Sequence, residues 1–173
     1  MKIRDKRKRE IFILFNIIYN ILNNNINFIK KFDNNNMSKE ILNKAITTCF
    51  AKIARVDGSI GNEEIDIMNS SDILSKYKHG NIESADTRNF FNKIQGEYGA
   101  IIKENLNDEE KKSFINDLVN LIKSDNKVHD HEFFLLGHIA NSIGYNPTEV
   151  AEIIKERGID SSKSSSWFSW LFG

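Results

Sequence analysis

The chain has 173 residues, 40% of them hydrophobic, with one proline and one cysteine. That length suits one domain with tails, the near absence of proline permits long helices, and a lone cysteine excludes an internal disulfide and fits a reducing cytoplasm. Formal net charge is zero, yet residues 1–36 carry eight Lys/Arg against three Asp/Glu and the remainder carries sixteen against twenty-one, an acidic body that argues against general nucleic-acid binding.

The first element is a basic run, Lys2, Arg4, Lys6, Arg7, Lys8 and Arg9, followed by an Ile/Phe/Asn-rich stretch. Asn16, Asn20, Asn23, Asn24 and Asn27 fall on one narrow stripe of a helix, continued by Lys30 and Lys31. The apolar run Ile11–Phe15 is far short of the roughly 20 residues a spanning helix needs. No small-residue cleavage site follows it. Three readings stay open for residues 1–36. The segment lies on an anionic membrane surface, or it packs on the domain or a partner, or it is a non-native extension ahead of Met37-Ser38.

From Ser38 the pattern becomes strongly helical. Ile41/Leu42, Ala45/Ile46, Cys49/Phe50 and Ile53/Ala54 recur every four residues and define one apolar face. Cys49 on that stripe reads as a buried, inert thiol. Gly58 is placed to end this helix, and a second begins after Asn62. Asp72 to Tyr77 is a short helical turn, and Lys78-His79-Gly80-Asn81 is a loop. Asp86 is expected to cap one helix carrying Phe90, Phe91, Ile94, Tyr98, Ile101 and Ile102. Asn107 and Glu110 have capping-box spacing ahead of a helix that buries Phe114, Ile115, Leu118, Leu121 and Ile122. The next helix starts near Asp130, carries Phe133, Leu136, Ile139, Ala140 and Ile143, and stops at Gly144. The last is bracketed by Asn146, Pro147 and Glu149 at its start and Gly158 past its end. The predicted fold class is therefore all-α. Residues 37–158 form the domain, and 159–173 a serine-rich linker with an aromatic tail.

Two segments match at an offset of 68 residues, Ile53 to Ile65 and Leu121 to Phe133. Each reads as an apolar helix end, Asp, then Gly or Asn, a spacer, a β-branched residue, three more residues, Glu and an apolar residue. Gly58 and Asn126 both enter the left-handed conformation at low cost. Asp57 and Asp125 thus sit at helix C-termini, where carbonyls lack partners and the macrodipole is negative. Ile60 and Val128 point inward, and Glu64 and Glu132 fall in the first turn of the next helix. Carboxylates beside free carbonyls make an oxygen-rich site for a hard divalent cation. The local alternative is that the Asp residues cap turns and the Glu residues favour a helix start, with no metal. Neither loop has the ligand alternation of an EF-hand.

The stretch Cys49 to Gly58 resembles the first signature of the TerB tellurite-resistance family. Ser124 to Val128 with Glu132 resembles the second, and Ile139 to Glu149 the closing helix pair. Phe90 to Ile94 after Ser70-Ser71-Asp72 adds to the likeness, which covers residues 38–155. The resemblance implies a compact bundle of about seven helices with an internal pseudo-two-fold repeat. It also implies a bacterial stress-response role and metal binding at Asp57, Glu64, Asp125 and Glu132. Two features depart from the pattern. Asn126 replaces a glycine, and His129 and His131 are additions that either make the second site more zinc-like or are solvated loop histidines. His138 reads as a surface residue. No His-Pro-Asp triplet occurs, so if the chain is related to the co-chaperones of the wider family it is expected to lack their J-domain.

No Ser-His-Asp elbow, glycine-rich phosphate loop or HExxH motif is present, and the chain is expected not to be an enzyme. The expected function is metal sensing or scaffolding in the cytoplasm, alongside other stress-response or membrane-associated proteins. The alternative is an adaptor that docks on partners, or peripherally on the inner face of the membrane. It would use the basic N-terminus and the residues Trp167, Phe168, Trp170, Leu171 and Phe172.

Overall fold

The computed structural model describes residues 36–56, 58–124 and 129–159. The chain divides into two units, Met1–Lys39 and Glu40–Gly173; the account that follows concerns the second. Among the described residues there are eight α-helices and no strand. They are α1 (helical through residues 36–53), α2 (Asn62–Ser70), α3 (Asp72–Tyr77), α4 (Phe90–Gln95), α5 (Glu97–Asn105), α6 (Asp108–Lys123), α7 (Asp130–Ser142) and α8 (Pro147–Glu156). A single 3₁₀ turn, Ile82–Ser84, lies between α3 and α4. None of the described helices is long and apolar enough to cross a membrane.

The helix boundaries follow from local chemistry. At the start of α6, Asn107 and Glu110 satisfy each other's backbone: the Glu110 N–H donates to Asn107 Oδ1 at 2.9 Å, and the Asn107 N–H to Glu110 Oε2 at 3.1 Å. At the start of α8 the Thr148 N–H donates to Asn146 Oδ1, with Pro147 in the first turn where its missing donor costs nothing. The ends of α7 and α8 share one solution. Gly144 and Gly158 turn left-handed, at φ 70° and 68°, and the next N–H reaches back to Ala140 O and Ile154 O respectively.

One expectation needs correction. The apolar face from Phe90 to Ile102 is not one helix capped by Asp86. Asp86 closes a turn with Arg88, accepting from its backbone N–H and its guanidinium, and α4 starts later, from Asn89 in the left-handed conformation. The helix then breaks at Gly96, whose N–H still bonds to Asn92 O and Lys93 O before α5 sets off in a new direction. The four-residue spacing of Ile94, Tyr98 and Ile102 runs straight across this break, which is why periodicity hides it.

Two helices form the hub. α6 packs against α2, α3, α7 and α8, while α7 packs against α4, α5, α6 and α8. Their apolar faces, Phe114 to Ile122 and Phe133 to Ala140, join the α1 stripe of Ala45, Ile46, Cys49, Phe50 and Ile53 in one core. Phe50 and Phe114 meet with ring centroids 5.8 Å apart, a pairing that contributes about 1 kcal/mol beyond the area buried. Cys49 is fully buried, and burial pushes its thiol far above the ordinary range, so it is inert as expected.

Several polar groups at the edge of this core are hydrogen-bonded, while Asn43 Oδ1 and the Tyr145 hydroxyl are buried with no hydrogen-bond partner among the described residues. Thr47 donates to Asn43 O and accepts from the His79 N–H, tying the loop after α3 to α1. Ser71 donates to Asp117 at 2.6 Å and accepts from the Leu74 N–H, so one hydroxyl caps α3 and docks it on α6. Burial raises the Asp117 carboxyl above its usual value, and the Ser71 hydroxyl opposes that rise. Lys76 donates to Glu110 and holds that carboxyl below its ordinary range, and Tyr77 donates to the same oxygen.

Candidate functional site

Each of the two predicted glutamates sits at the third position of a helix, and each is held there in the same way. The Gly61 N–H donates to Glu64 Oε2 at 2.6 Å, and the His129 N–H donates to Glu132 Oε2 at 2.8 Å. One oxygen of each carboxylate is thus fixed against the backbone donor three residues earlier. This also satisfies one of the four N–H groups that every helix start leaves open, and it sets negative charge against the positive end of the helix dipole.

The surroundings of the two carboxylates differ. Glu64 is half-buried at the head of α2, a helix whose one fully buried residue is Met68. Glu132 is 7% exposed and belongs to α7, where it is followed by buried Phe133, Leu135 and Leu136. Ile60 packs against the core, pinning the first loop as its β-branched position suggested. Gly58 has φ 117°, a conformation closed to most side chains. Asp57, Asp125, Asn126 and Val128 lie outside the described residues, as do Trp167, Phe168, Trp170, Leu171, Phe172 and the whole of residues 1–35. Among the described residues no group of three or more His, Cys, Asp or Glu side chains is arranged to hold a metal ion.

One pocket is lined by residues that flank both loops in sequence. Its volume is about 440 Å³, and it lies between the end of α1, the start of α4 and the start of α7. Lys52, Arg55 and Val56, the last described residues before Asp57, form one wall. His129 and His131, the first described residues after the second loop, form another. Phe91, Phe134 and Leu135 supply the apolar floor. Arg55 is anchored: its guanidinium donates to Ala85 O at 2.9 Å, Ile82 O at 3.1 Å and Glu83 O. That fixes a positive charge and caps the 3₁₀ turn. Lys52 is half-buried and, among the described residues, has no carboxylate within ion-pair distance. His129 and His131 are both exposed.

Sequence reasoning missed this pocket and the aromatic patch on its edge. Phe91 and Phe134 are 38% and 40% exposed, with ring centroids 5.8 Å apart, and the His138 ring lies edge-on to both, 5.2 Å from Phe91 and 4.5 Å from Phe134. The usable signal was in the doublets Phe90-Phe91 and Phe133-Phe134. Adjacent helix positions point about 100° apart, so an amphipathic helix buries one member and presents the other.

A family model described as tellurite resistance protein TerB matches residues 43–155. That span runs from α1 into α8, contains both loops, and is well over half of the chain. Neither the curated proteins nor the solved structures yield a match.

Proposed function

This chain belongs to the TerB family of tellurite-resistance proteins, and on that premise we propose that it is a non-enzymatic stress-response protein that binds a divalent cation through its two acidic loops. The observation that carries the reading is the repeated fixing of a carboxylate at a helix start, Glu64 by the Gly61 N–H and Glu132 by the His129 N–H. A ligand held before the cation arrives loses less freedom when it binds. Glu64 with Asp57, and Glu132 with Asp125, supply an oxygen-rich donor set of the kind hard cations prefer. A bound cation would supply positive charge between each loop and the helix after it. Asp57 and Asp125 each precede a residue able to turn left-handed, and each is tied in sequence to a Glu that is already in place. Residues next to each loop in sequence, Val56 and His129, line one pocket, so binding would be read out at that surface, as suits a sensor or scaffold acting with other stress-response or membrane-associated proteins in the cytoplasm.

Calorimetric titration of the full chain with calcium, magnesium, manganese and zinc tests this. The expected result is saturable heat with at least one of them, lost in the Asp57→Asn/Asp125→Asn variant. No heat with any of the four ions, or heat unchanged in that variant, removes the metal from the proposal. Glu64→Gln and Glu132→Gln separate binding from capping. An amide oxygen still accepts the backbone N–H, so helix content is expected to hold while the heat falls.

A further inference from the structure

We propose that the pocket between α1, α4 and α7 is the receptacle for this chain's own aromatic segment, Trp167 to Phe172. Three observations converge on that occupant.

The first is chemical fit. The pocket floor is Phe91, Phe134 and Leu135, and two of these rings stand about two-fifths exposed in the structure. Lys52 is half-buried beside them with no carboxylate partner among the described residues. An ammonium next to an apolar floor is well met by the face of an indole, which attracts the cation and fills the floor together. Trp167-Phe168-Ser169-Trp170-Leu171-Phe172 presents five large apolar side chains in six residues, two of them indoles.

The second is reach. The end of α8 lies within a bounded distance of the pocket. The Lys123 ammonium donates to Arg157 O at 2.7 Å, and Lys123 is six residues before His129, which lines the pocket. Six extended residues plus a lysine side chain bound the distance from Arg157 to His129 at about 30 Å. Ile159 to Trp167 spans eight residues, also up to about 29 Å when extended, and Phe172 reaches about 18 Å further. The linker is serine-rich, Ser161, Ser162, Ser164, Ser165 and Ser166, with nothing in it to anchor elsewhere in the core.

The third is size. A pocket of about 440 Å³ holds an indole with part of a neighbouring ring. A short linker gives an effective concentration on the order of mM, so an intrinsic Kd of about 0.1 mM would keep the segment docked roughly nine times in ten. Docking in this way covers the exposed rings. It also makes occupancy of the pocket exclusive with any outside use of the same aromatic segment.

The test uses a property of the composition. Trp167 and Trp170 are the only tryptophans in the chain, so intrinsic tryptophan emission reports this segment and nothing else. Full-length protein is compared with Phe91→Ala/Phe134→Ala and with Lys52→Ala, each checked for helix content by circular dichroism. Wild type is expected to emit at shorter wavelength than a water-exposed indole. Its acrylamide quenching should be several-fold weaker than in the double variant and intermediate in Lys52→Ala, at every protein concentration. Exposed-indole emission in wild type, or quenching that neither variant changes, overturns the proposal. Protection that grows with protein concentration also overturns it, because it places the segment on a second copy. The proposal does not depend on cation binding, and a null calorimetric result leaves it standing.

Discussion

The two acidic loops use the same hydrogen bond to start a helix, yet they start helices of very different standing. The first opens α2, which packs on α6 and α3 and buries only Met68 completely. The second opens α7, which packs on four other helices and buries seven of its thirteen residues. The same Glu at the same position is therefore half-buried in one case and 7% exposed in the other. A local motif sets where a helix begins, while its cost and consequence are set by what the helix packs against.

If α7 is the rigid member of the pair, changes that disturb it should dominate, and the largest effect is expected at its far end. Gly99 of α5 lies against Ser142, the last residue of α7, and an added Cβ would fall on the carbonyl oxygen of Ile94 and 2.9 Å from the Ser142 side chain. Both obstacles are backbone or stiff, so neither yields cheaply. Gly99→Ala is expected to cost about 3 kcal/mol, the upper part of the range for overpacking. A fall in the urea midpoint with unchanged slope would show it; a loss below about 0.5 kcal/mol, the scale of ordinary surface changes, would mean that this end of α7 has slack.

The glutamates come next. Glu132→Ala removes a buried acceptor from a part-buried hydrogen bond, so the His129 N–H is less easily re-satisfied than a fully exposed donor, an expected loss of about 1 to 2 kcal/mol. Glu64→Ala exposes the Gly61 N–H to water, which can take over the bond, for an expected loss of about 0.5 kcal/mol. Equal losses in denaturant unfolding would break the contrast between the loops, and a larger loss at Glu64 would invert it.

The sequence allowed the helix starts to be read because their signals are local. Asn107 with Glu110, and Asn146 with Pro147, act within one turn, so no tertiary knowledge is required. The core faces of α1, α6 and α7 were legible for a related reason: burial follows periodicity wherever a helix runs straight. Where the backbone changes direction inside an apolar pattern, at Gly96, periodicity carried no warning. Asp86 was misplaced because its carboxylate serves a turn two residues long rather than a helix start. The meeting of Val56 and His129 at one pocket depends on how α1, α4 and α7 pack, which no spacing encodes. Only the doubled phenylalanines hinted that a ring from α4 and a ring from α7 would face outward.

The smallest expected effect concerns that outward face, which α2 lacks entirely. Burial against its surroundings, with Phe91 of α4 and Phe134 of α7 at its edge, lowers the His138 imidazole below its ordinary value. A lowered imidazole means that the folded protein favours the neutral ring, while the unfolded chain takes up the proton at the ordinary value, about 6.5. The contribution to stability is therefore constant above that pH and is lost as pH falls through the window below it, because the unfolded state then binds more protons. His138→Leu removes the titrating group and keeps an apolar neighbour for both rings. The stability of wild type relative to this variant is expected to decline as pH is lowered from neutral to mildly acidic, read from denaturation midpoints at matched salt. A difference that stays flat with pH would mean that the imidazole titrates alike in folded and unfolded chains, and that the ring cluster at the pocket edge shields it from water too little to matter.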